Sequence, residues 1–397
     1  MRLTTEERSL LAGECGRAAG KAMQILVALG EIYGAEEMVS VSSVQIAGVS
    51  FHNLGEAGLE WLEEMARDGR VRTLTTLNPA GMDLENWRGQ GVTEEFAERQ
   101  LRLVRAYERM GIAPTCTCTP YLVGNLPAPG EHVAWAESSA VAFANSVLGA
   151  RTNREGGPSA LAAALTGRTP KYGLHLAEHR TPTFEAVIDV PLESTADWGA
   201  LGCVVGRRSQ GRVALLRGIP NADLAALKSF GAALVTFGGS PLYYLDGITR
   251  APPDAPDIEA SLVITPEDLA AARTSLDDGA DHVDLVSLGC PHLSLGELAA
   301  LADRLEGQQV ATETWICTAR PTAEAARQAG YAQRIERTGA KLVCDTCFAV
   351  APLNRHGATV ATDSAKGCFY GRGHNRLKMH LGSVEQCIAA ALSGRWT

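Results

Sequence analysis

Three cysteines, each following a strand-like apolar run, are the residues of this chain best placed to do chemistry. They are Cys118, Cys290 and Cys347. Because the carboxyl ends of strands in α/β proteins open onto the binding crevice, thiols at three such ends can converge. Converging thiolates are ligands for a soft metal or an iron–sulfur cluster. A set of three would leave one iron free to hold a substrate, which would make a Lewis-acid site.

The three cysteines could instead have a structural role. Cysteine often serves as a small core hydrophobe, and the gaps between the three are too long for a ferredoxin or zinc-finger signature. Cys116, Cys317 and Cys344 lie on the same predicted strand ends and could replace a ligand. Cys344 and Cys347 also form a C-x-x-C pair that could hold zinc. Redox chemistry is less favoured for this pair, because it does not open a helix in a thioredoxin-like βαβ unit.

The loop over 149–159 is the second candidate for chemistry. It concentrates two Arg, one Glu, one Asn, two hydroxyl residues and three Gly. Glycine lets a backbone approach a ligand closely, and Arg binds carboxylate through a bidentate fork. The loop therefore predicts an anion site, with a capped helix-to-helix turn carrying surface salt bridges as the alternative.

Composition limits the classes of function. The net charge is −9 and no Lys/Arg-rich run occurs, which disfavours a nucleic-acid partner. No apolar run approaches the roughly 20 residues that a membrane helix needs. The first residues are typical of a charged helix start with a Thr cap rather than a signal peptide. Ten cysteines in 397 residues, below the density of a disulfide scaffold, indicate a reducing, cytoplasmic location.

Helical and strand-like patterns alternate along the chain and predict an α/β fold with several domains. Helices are expected over 5–33 (two short ones), 55–68, 93–111, 266–276, 294–306 and 321–338. Strands are expected over 38–49, 71–77, 112–118, 262–265, 283–288, 310–316 and 340–343. The repeated βα order of the last third predicts a parallel sheet. We expect an N-terminal α/β region over 1–183 that carries the polar loop, a small β-rich α/β unit over 184–250, and a C-terminal βα-repeat region over 251–397. A Pro-rich linker is predicted at 251–256.

Motifs spread over nearly the whole chain resemble those of the aconitase X family. The matching segments are 78–83, 118–121, 130–132, 137–141, 143–157, 289–292, 345–347 and 362–366. The resemblance implies an aconitase-like fold and a hydro-lyase whose iron–sulfur cluster is bound by three cysteines, with the cluster type left open. Family members occur as one long chain or as a large subunit with a small swivelling subunit. This chain resembles the large subunit, so a swivel-domain partner is expected.

The resemblance also assigns roles to individual residues. Cys118, Cys290 and Cys347 match the family's cluster ligands. Pocket-lining segments supply the expected substrate contacts, which are Ser43, Gln45, Asn78, Arg151, Thr152, Asn153, Arg154 and Ser364. The catalytic base is expected from the swivel subunit, and Glu155 and Lys366 are the candidates if it lies within this chain. Lys366 would otherwise add positive charge beside a substrate anion, or be a solvated lysine at a turn.

Two substrates are known in the family, cis-3-hydroxy-L-proline, which gives Δ1-pyrroline-2-carboxylate, and mevalonate 5-phosphate. The content of 30 Arg against 6 Lys is typical of GC-rich bacterial coding and favours hydroxyproline catabolism. A phosphate would need an additional Arg, Lys or helix N-terminus. A non-catalytic scaffold stabilised by zinc or a cluster is the alternative from another class of function.

Overall fold

The computed structural model describes residues 1–250, 258, 260–353 and 355–396. The chain divides into two compact units, Met1–Thr181 and Pro182–Thr397. The linker predicted at 251–256 lies outside the described residues. No helix in the described ranges has both the length and the apolar character needed to cross a membrane.

The first unit packs helices around short strands. Its helices are α1 (Thr5–Leu11), α2 (Arg17–Ile32), α3 (Phe51–Met65), α4 (Glu94–Arg109), α5 (Ser138–Phe143) and α6 (Gly157–Thr166). Its strands are β1 (Met38–Ser40), β2 (Ser43–Ile46), β3 (Leu74–Leu77), β4 (Ala134–Trp135) and β5 (Arg168–Pro170). β3, β2 and β4 form a parallel sheet in that order, and β1 pairs with β5 in antiparallel fashion. The apolar faces of α2 and α6 pack together in its core.

The second unit contains two parallel sheets. Its strands are β6 (Phe184–Ile188), β7 (Ala214–Arg217), β8 (Tyr243–Leu245), β9 (Ala260–Ile264), β10 (Leu285–Leu293), β11 (Glu313–Thr318), β12 (Lys341–Cys344), β13 (Thr359–Thr362) and β14 (Lys378–Leu381). One sheet has the order β8-β7-β6-β9 and the other β12-β11-β10-β13-β14. The helices are α7 (Thr195–Ser209), α8 (Leu224–Gly238), α9 (Pro266–Ser275), α10 (Leu295–Leu305), α11 (Arg320–Gln328), α12 (Tyr331–Arg337), α13 (Ala365–Asn375) and α14 (Val384–Ser393).

The predicted α/β fold class is confirmed, and the differences from prediction are local. The strand expected over 38–49 is split into β1 and β2, which belong to different sheets. The run before Cys118 forms a single bridge, between Ala113 and Thr76, and no strand of its own. The helix expected over 321–338 is two helices, because Gly330 adopts φ 82° between them. β9, which follows the predicted linker, pairs with β6 in the β-rich part of the second unit.

The end of β10 departs from regular pairing at the residues that precede Cys290. Its register with β11 shifts between Leu288 and Leu293. Gly289 has φ 104°, and a Cβ built there would lie 2.2 Å from the Cys317 carbonyl oxygen. Only glycine fits this close approach of two backbones, so the path of the strand end depends on a missing side chain.

We expect Gly289→Ala to destabilise the folded chain by about 2–4 kcal/mol, because it adds both a backbone clash and a disfavoured φ. Urea unfolding measures the effect. Gly296→Ala in α10 is the matched control, since a Cβ there meets nothing within 4 Å. A free energy of unfolding unchanged by Gly289→Ala would show that β10 can adopt another path.

Candidate active site

Two of the three predicted thiols lie on neighbouring segments at the carboxyl ends of strands in the second unit. Cys290 is near the end of β10, and Cys347 follows β12 by three residues. Both side chains contact the same apolar cluster, with Cys347 buried and Cys290 partly buried. The segments are joined directly, because Nε2 of His292 donates to the Thr346 carbonyl oxygen over 3.1 Å.

A cavity of about 500 Å³ opens at the same strand ends of the second unit. Helices α7, α8, α10 and α14 begin at its wall, so the carboxyl ends of both sheets face it. A much smaller cavity beside it is lined by Cys290 and shares Thr195, Glu297 and Asp363 with the larger one. Ligand crevices of parallel α/β sheets occur at this position. The placement of Cys290 therefore agrees with a role in a site.

Carboxylates dominate the polar lining of the large cavity. Among its described lining residues they are Glu193, Asp223, Glu297, Asp363 and Glu385, against one cation, Arg304. Asp363 is partly buried and accepts a hydrogen bond from Thr195 Oγ1 at 2.9 Å. Burial raises the pKa of Asp363 to about 6, and the hydrogen bond from Thr195 only partly offsets that increase.

The three neighbouring cysteines are placed in cores. Cys317 lies 3.7 Å from Ser287 Oγ within the core cluster that also holds Cys347. Cys344 packs into a different cluster from Cys347, so the C-x-x-C pair does not share one core. Cys116 belongs to the core of the first unit and has φ 41°, whereas Cys118 is buried outside that core cluster.

Polar side chains surround the segment of Cys118 in the first unit. Gln45 is fully buried and its Nε2 donates to the Thr117 carbonyl oxygen at 2.8 Å. Asn78 Nδ2 donates to Glu137 Oε2 at 2.7 Å. Within the described part of the chain, the amide oxygens of Gln45 and Asn78 are buried and accept no hydrogen bond. Since buried acceptors without a partner are costly, both atoms are suited to a donor on a ligand. Ser43, by contrast, accepts from Trp135 Nε1 at 3.1 Å.

Three side chains of the polar loop bond mainly to the backbone of neighbouring segments of the first unit. Thr152 Oγ1 accepts from the Trp135 N–H and donates to the Asn153 carbonyl. Asn153 bonds to Tyr172 and Leu174 through its amide. Arg151 donates to the His175 carbonyl at 3.1 Å. Arg154 differs from these residues, because its side chain is exposed and has no hydrogen-bond or ion-pair partner among the described residues. Arg154 is therefore the side chain of the loop that is available to an anion.

The two candidate bases are both buried. The Glu155 carboxylate accepts from Ser159 Oγ and from Thr169 Oγ1, and burial raises its pKa. The Lys366 ammonium lies 5.8 Å from the centre of the Tyr370 ring. The residue as a whole is 9% exposed, so Lys366 is not a solvated surface lysine. Ser364 is the N-cap of α13 and accepts from the Gly367 N–H at 2.9 Å.

Sequence reasoning missed several polar residues at the strand ends of the second unit. Lys228 and His292 are both buried beside the Cys290 segment, and Thr195 holds Asp363. A signal was present for Lys228, since it is the only charged residue in the otherwise apolar helix α8. A lysine retained in such a helix indicates a buried partner.

The three candidate thiols are chemically suited to an iron–sulfur cluster, and two of them lie on segments that are in contact. Thiolates are the usual ligands of such clusters. The second unit brings the Cys290 and Cys347 segments into contact, and Cys118 lies in the first unit. Over residues 1–250, 258, 260–353 and 355–396, no three His, Cys, Asp or Glu side chains form a metal-binding group. A shared site for all three cysteines therefore stays a prediction.

The raised pKa of Asp363 predicts a pH-dependent stability. Its carboxyl group has a higher pKa in the folded than in the unfolded chain, so ionisation lowers stability as pH rises from about 4 through about 6. We expect Asp363→Asn to raise the Tm by about 2–4 °C at pH 8 and to leave it unchanged at pH 4. Calorimetry at the two pH values tests this, with the exposed Asp281→Asn as control. An equal change at both pH values would contradict it.

Comparison with known proteins identifies the family. Sequence models of the aconitase X first, second and third domains match residues 1–178, 182–276 and 283–393. The phosphomevalonate dehydratase large subunit of Methanothermobacter thermautotrophicus is 49% identical over 92% of each chain. That of Methanosarcina mazei is 44% identical over 100% of this chain and 98% of the relative. The cis-3-hydroxy-L-proline dehydratase of Pseudomonas aeruginosa is 37% identical over 99% of this chain and 70% of the relative.

The crystal structure of holo aconitase X from Thermococcus kodakaraensis superposes with a TM-score of 0.92 at 41% identity, covering 98% of this chain and all of that one. The chain therefore belongs to the aconitase X family, as the large subunit of a dehydratase.

Proposed function

We propose that this chain dehydrates mevalonate 5-phosphate, with a small partner subunit and an iron–sulfur cluster. The proposal of this substrate rests on sequence identity, which differs between the two groups of relatives. Four phosphomevalonate dehydratase large subunits are 42–49% identical to this chain, and a fifth is 36% identical. The two hydroxyproline dehydratases are 37% and 34% identical. The high Arg content, which favoured hydroxyproline, carries less weight because it reflects coding bias rather than a pocket.

Cys118, Cys290 and Cys347 would hold the cluster. When bound there, it supplies a Lewis acid that helps a hydroxyl β to a carboxylate leave as hydroxide. The chain's own residues bind and orient the substrate. Arg154 has a bidentate fork for the carboxylate, and the amide oxygens of Gln45 and Asn78 accept hydrogen bonds from substrate donors.

The proton on the neighbouring carbon needs a positioned base. Glu155 is held inside the first unit by Ser159 and Thr169, which leaves it poorly placed to reach a substrate. The relatives are named large subunits, which supports a small subunit as the source of the base. A partner that covers the site would also exclude water from it.

The acidic cavity favours a second candidate substrate, cis-3-hydroxy-L-proline. Its ring ammonium would be attracted by Asp363 and Glu193, whereas a phosphate would be repelled by them. Glu385 is already paired with Arg304 at 3.0 Å. Both substrates carry a carboxylate, so they differ in the charge of their second group. This electrostatic observation opposes the identity argument, and an assay decides between them.

The deciding experiment is an assay of the large chain, anaerobically reconstituted with iron and sulfide and mixed with its small subunit. We expect dehydration of mevalonate 5-phosphate by the mixture and negligible turnover by the large chain alone. Turnover of cis-3-hydroxy-L-proline alone would assign the second candidate. Full activity without the small subunit would place the base within this chain, where Lys366 and Glu155 are the first residues to substitute.

The ligand assignment predicts a selective loss of iron. We expect Cys118→Ser, Cys290→Ser and Cys347→Ser each to abolish cluster binding, because each removes one thiolate from a set of three. Cys203→Ser and Cys387→Ser are the matched controls, since both thiols are buried in helices α7 and α14. Iron and sulfide analysis after anaerobic reconstitution measures the outcome. Full iron content in one of the three variants would remove that cysteine from the ligand set.

A further inference from the structure

A buried ion pair lies directly beside the Cys290 segment. Lys228, on the apolar helix α8, has a side chain only 2% exposed. Its ammonium donates to Glu297 Oε2 at 2.6 Å and to the His292 carbonyl oxygen at 2.9 Å. Burying a charge is expensive even when it is paired, and an apolar residue of similar volume is often as stable. Core stability alone therefore does not account for this lysine.

Both ends of the ion pair are fixed. Glu297 accepts from the backbone N–H and the hydroxyl of Ser294 at 2.8 and 2.6 Å, as the third residue of the α10 capping box. Lys228 and Glu297 also line the small cavity that Cys290 lines. The start of α10 holds the Glu297 carboxylate in place. The carboxylate in turn holds the Lys228 ammonium where it donates to the His292 carbonyl oxygen.

His292 continues this chain of bonds to the second thiol segment. Its side chain is fully buried, and Nε2 donates to the Thr346 carbonyl at 3.1 Å. A carbonyl can only accept, so the Nε2 atom must carry a proton. His292 is two residues after Cys290, and Thr346 directly precedes Cys347. The bonds Glu297–Lys228–His292–Thr346 thus tie together the two segments that carry the thiols.

We propose that Lys228 and His292 are positioning residues that hold the Cys290 and Cys347 segments at the spacing one cluster requires. This inference rests on the proposed function, because it assumes that the two thiols are ligands. The ion pair is neutral overall, so Lys228 acts through the position of the His292 carbonyl rather than through added charge. Partners that orient the ligands of a metal site typically change its affinity about 10–100-fold when they are removed.

The test measures release of iron from the assembled, reconstituted enzyme to a ferrous chelator at 25 °C. We expect His292→Phe and Lys228→Met to release iron about 10–100-fold faster than the unaltered enzyme. His292→Gln keeps an N–H donor near the Nε2 position and should stay within a few-fold of the unaltered rate. Tyr243→Phe is the matched control, because it removes a hydrogen bond to the Leu227 carbonyl on α8 and leaves the side chains of Lys228 and His292 unchanged.

Thermal unfolding of the same proteins separates positioning from general stability. If His292→Phe or Lys228→Met folds and releases iron at the unaltered rate, the positioning role is wrong, whatever its Tm. If Tyr243→Phe releases iron as fast as these variants, general loosening of α8 accounts for the effect and the inference also fails. An unaltered enzyme that binds no iron would instead refute the proposed function, and this inference with it.

Discussion

The close approach of Gly289 to the Cys317 carbonyl is the constraint on which the site of the second unit depends. A Cβ at Gly289 would lie 2.2 Å from that oxygen, so the two backbones can meet there only where one residue has no side chain. The register of β10 against β11 shifts immediately afterwards, and the released residues carry Cys290 and His292. The Cys290 thiol therefore lines the small cavity because a glycine permits the strand to leave the regular ladder.

Much of the acidity around the large cavity has a structural cause. Helices α7, α8 and α10 begin at the cavity wall with Ser194, Asp223 and Ser294 as N-caps. Carboxylates and hydroxyls gather at such positions because the first N–H groups of a helix have no partner within it. Asp223 caps α8 and Glu297 completes the capping box of α10, so neither is fully available to a ligand. Glu385 forms an ion pair with Arg304 at 3.0 Å, so the attraction of a cationic substrate group depends on Asp363 and Glu193.

Local sequence patterns predicted most helices and strands. The features that they missed depend on contacts between residues far apart in the sequence. The apolar runs that became β10, β11 and β12 were recognisable because a buried parallel strand is apolar on both faces. The run before Cys118 has similar composition but forms only one bridge, between Ala113 and Thr76. Lys228 and His292 are 64 residues apart, and nothing local indicates their bond. The polar loop was recognised as unusual, yet its composition could not distinguish Thr152, which supports the backbone, from Arg154, which faces solvent.

The charges in the two units limit how a phosphorylated substrate can bind. With a pKa of about 6, Asp363 is mostly ionised at pH 7, so its charge repels a phosphate in the cavity of the second unit. In the first unit, Arg154 is a cation without an ion-pair partner among the described residues, but a single guanidinium does not neutralise both a carboxylate and a phosphate. If mevalonate 5-phosphate is the substrate, its phosphate needs a second cation or a helix N-terminus outside the acidic cavity. Such a group would lie elsewhere on this chain or on the small subunit. In the second case the small subunit would contribute to specificity as well as to proton removal.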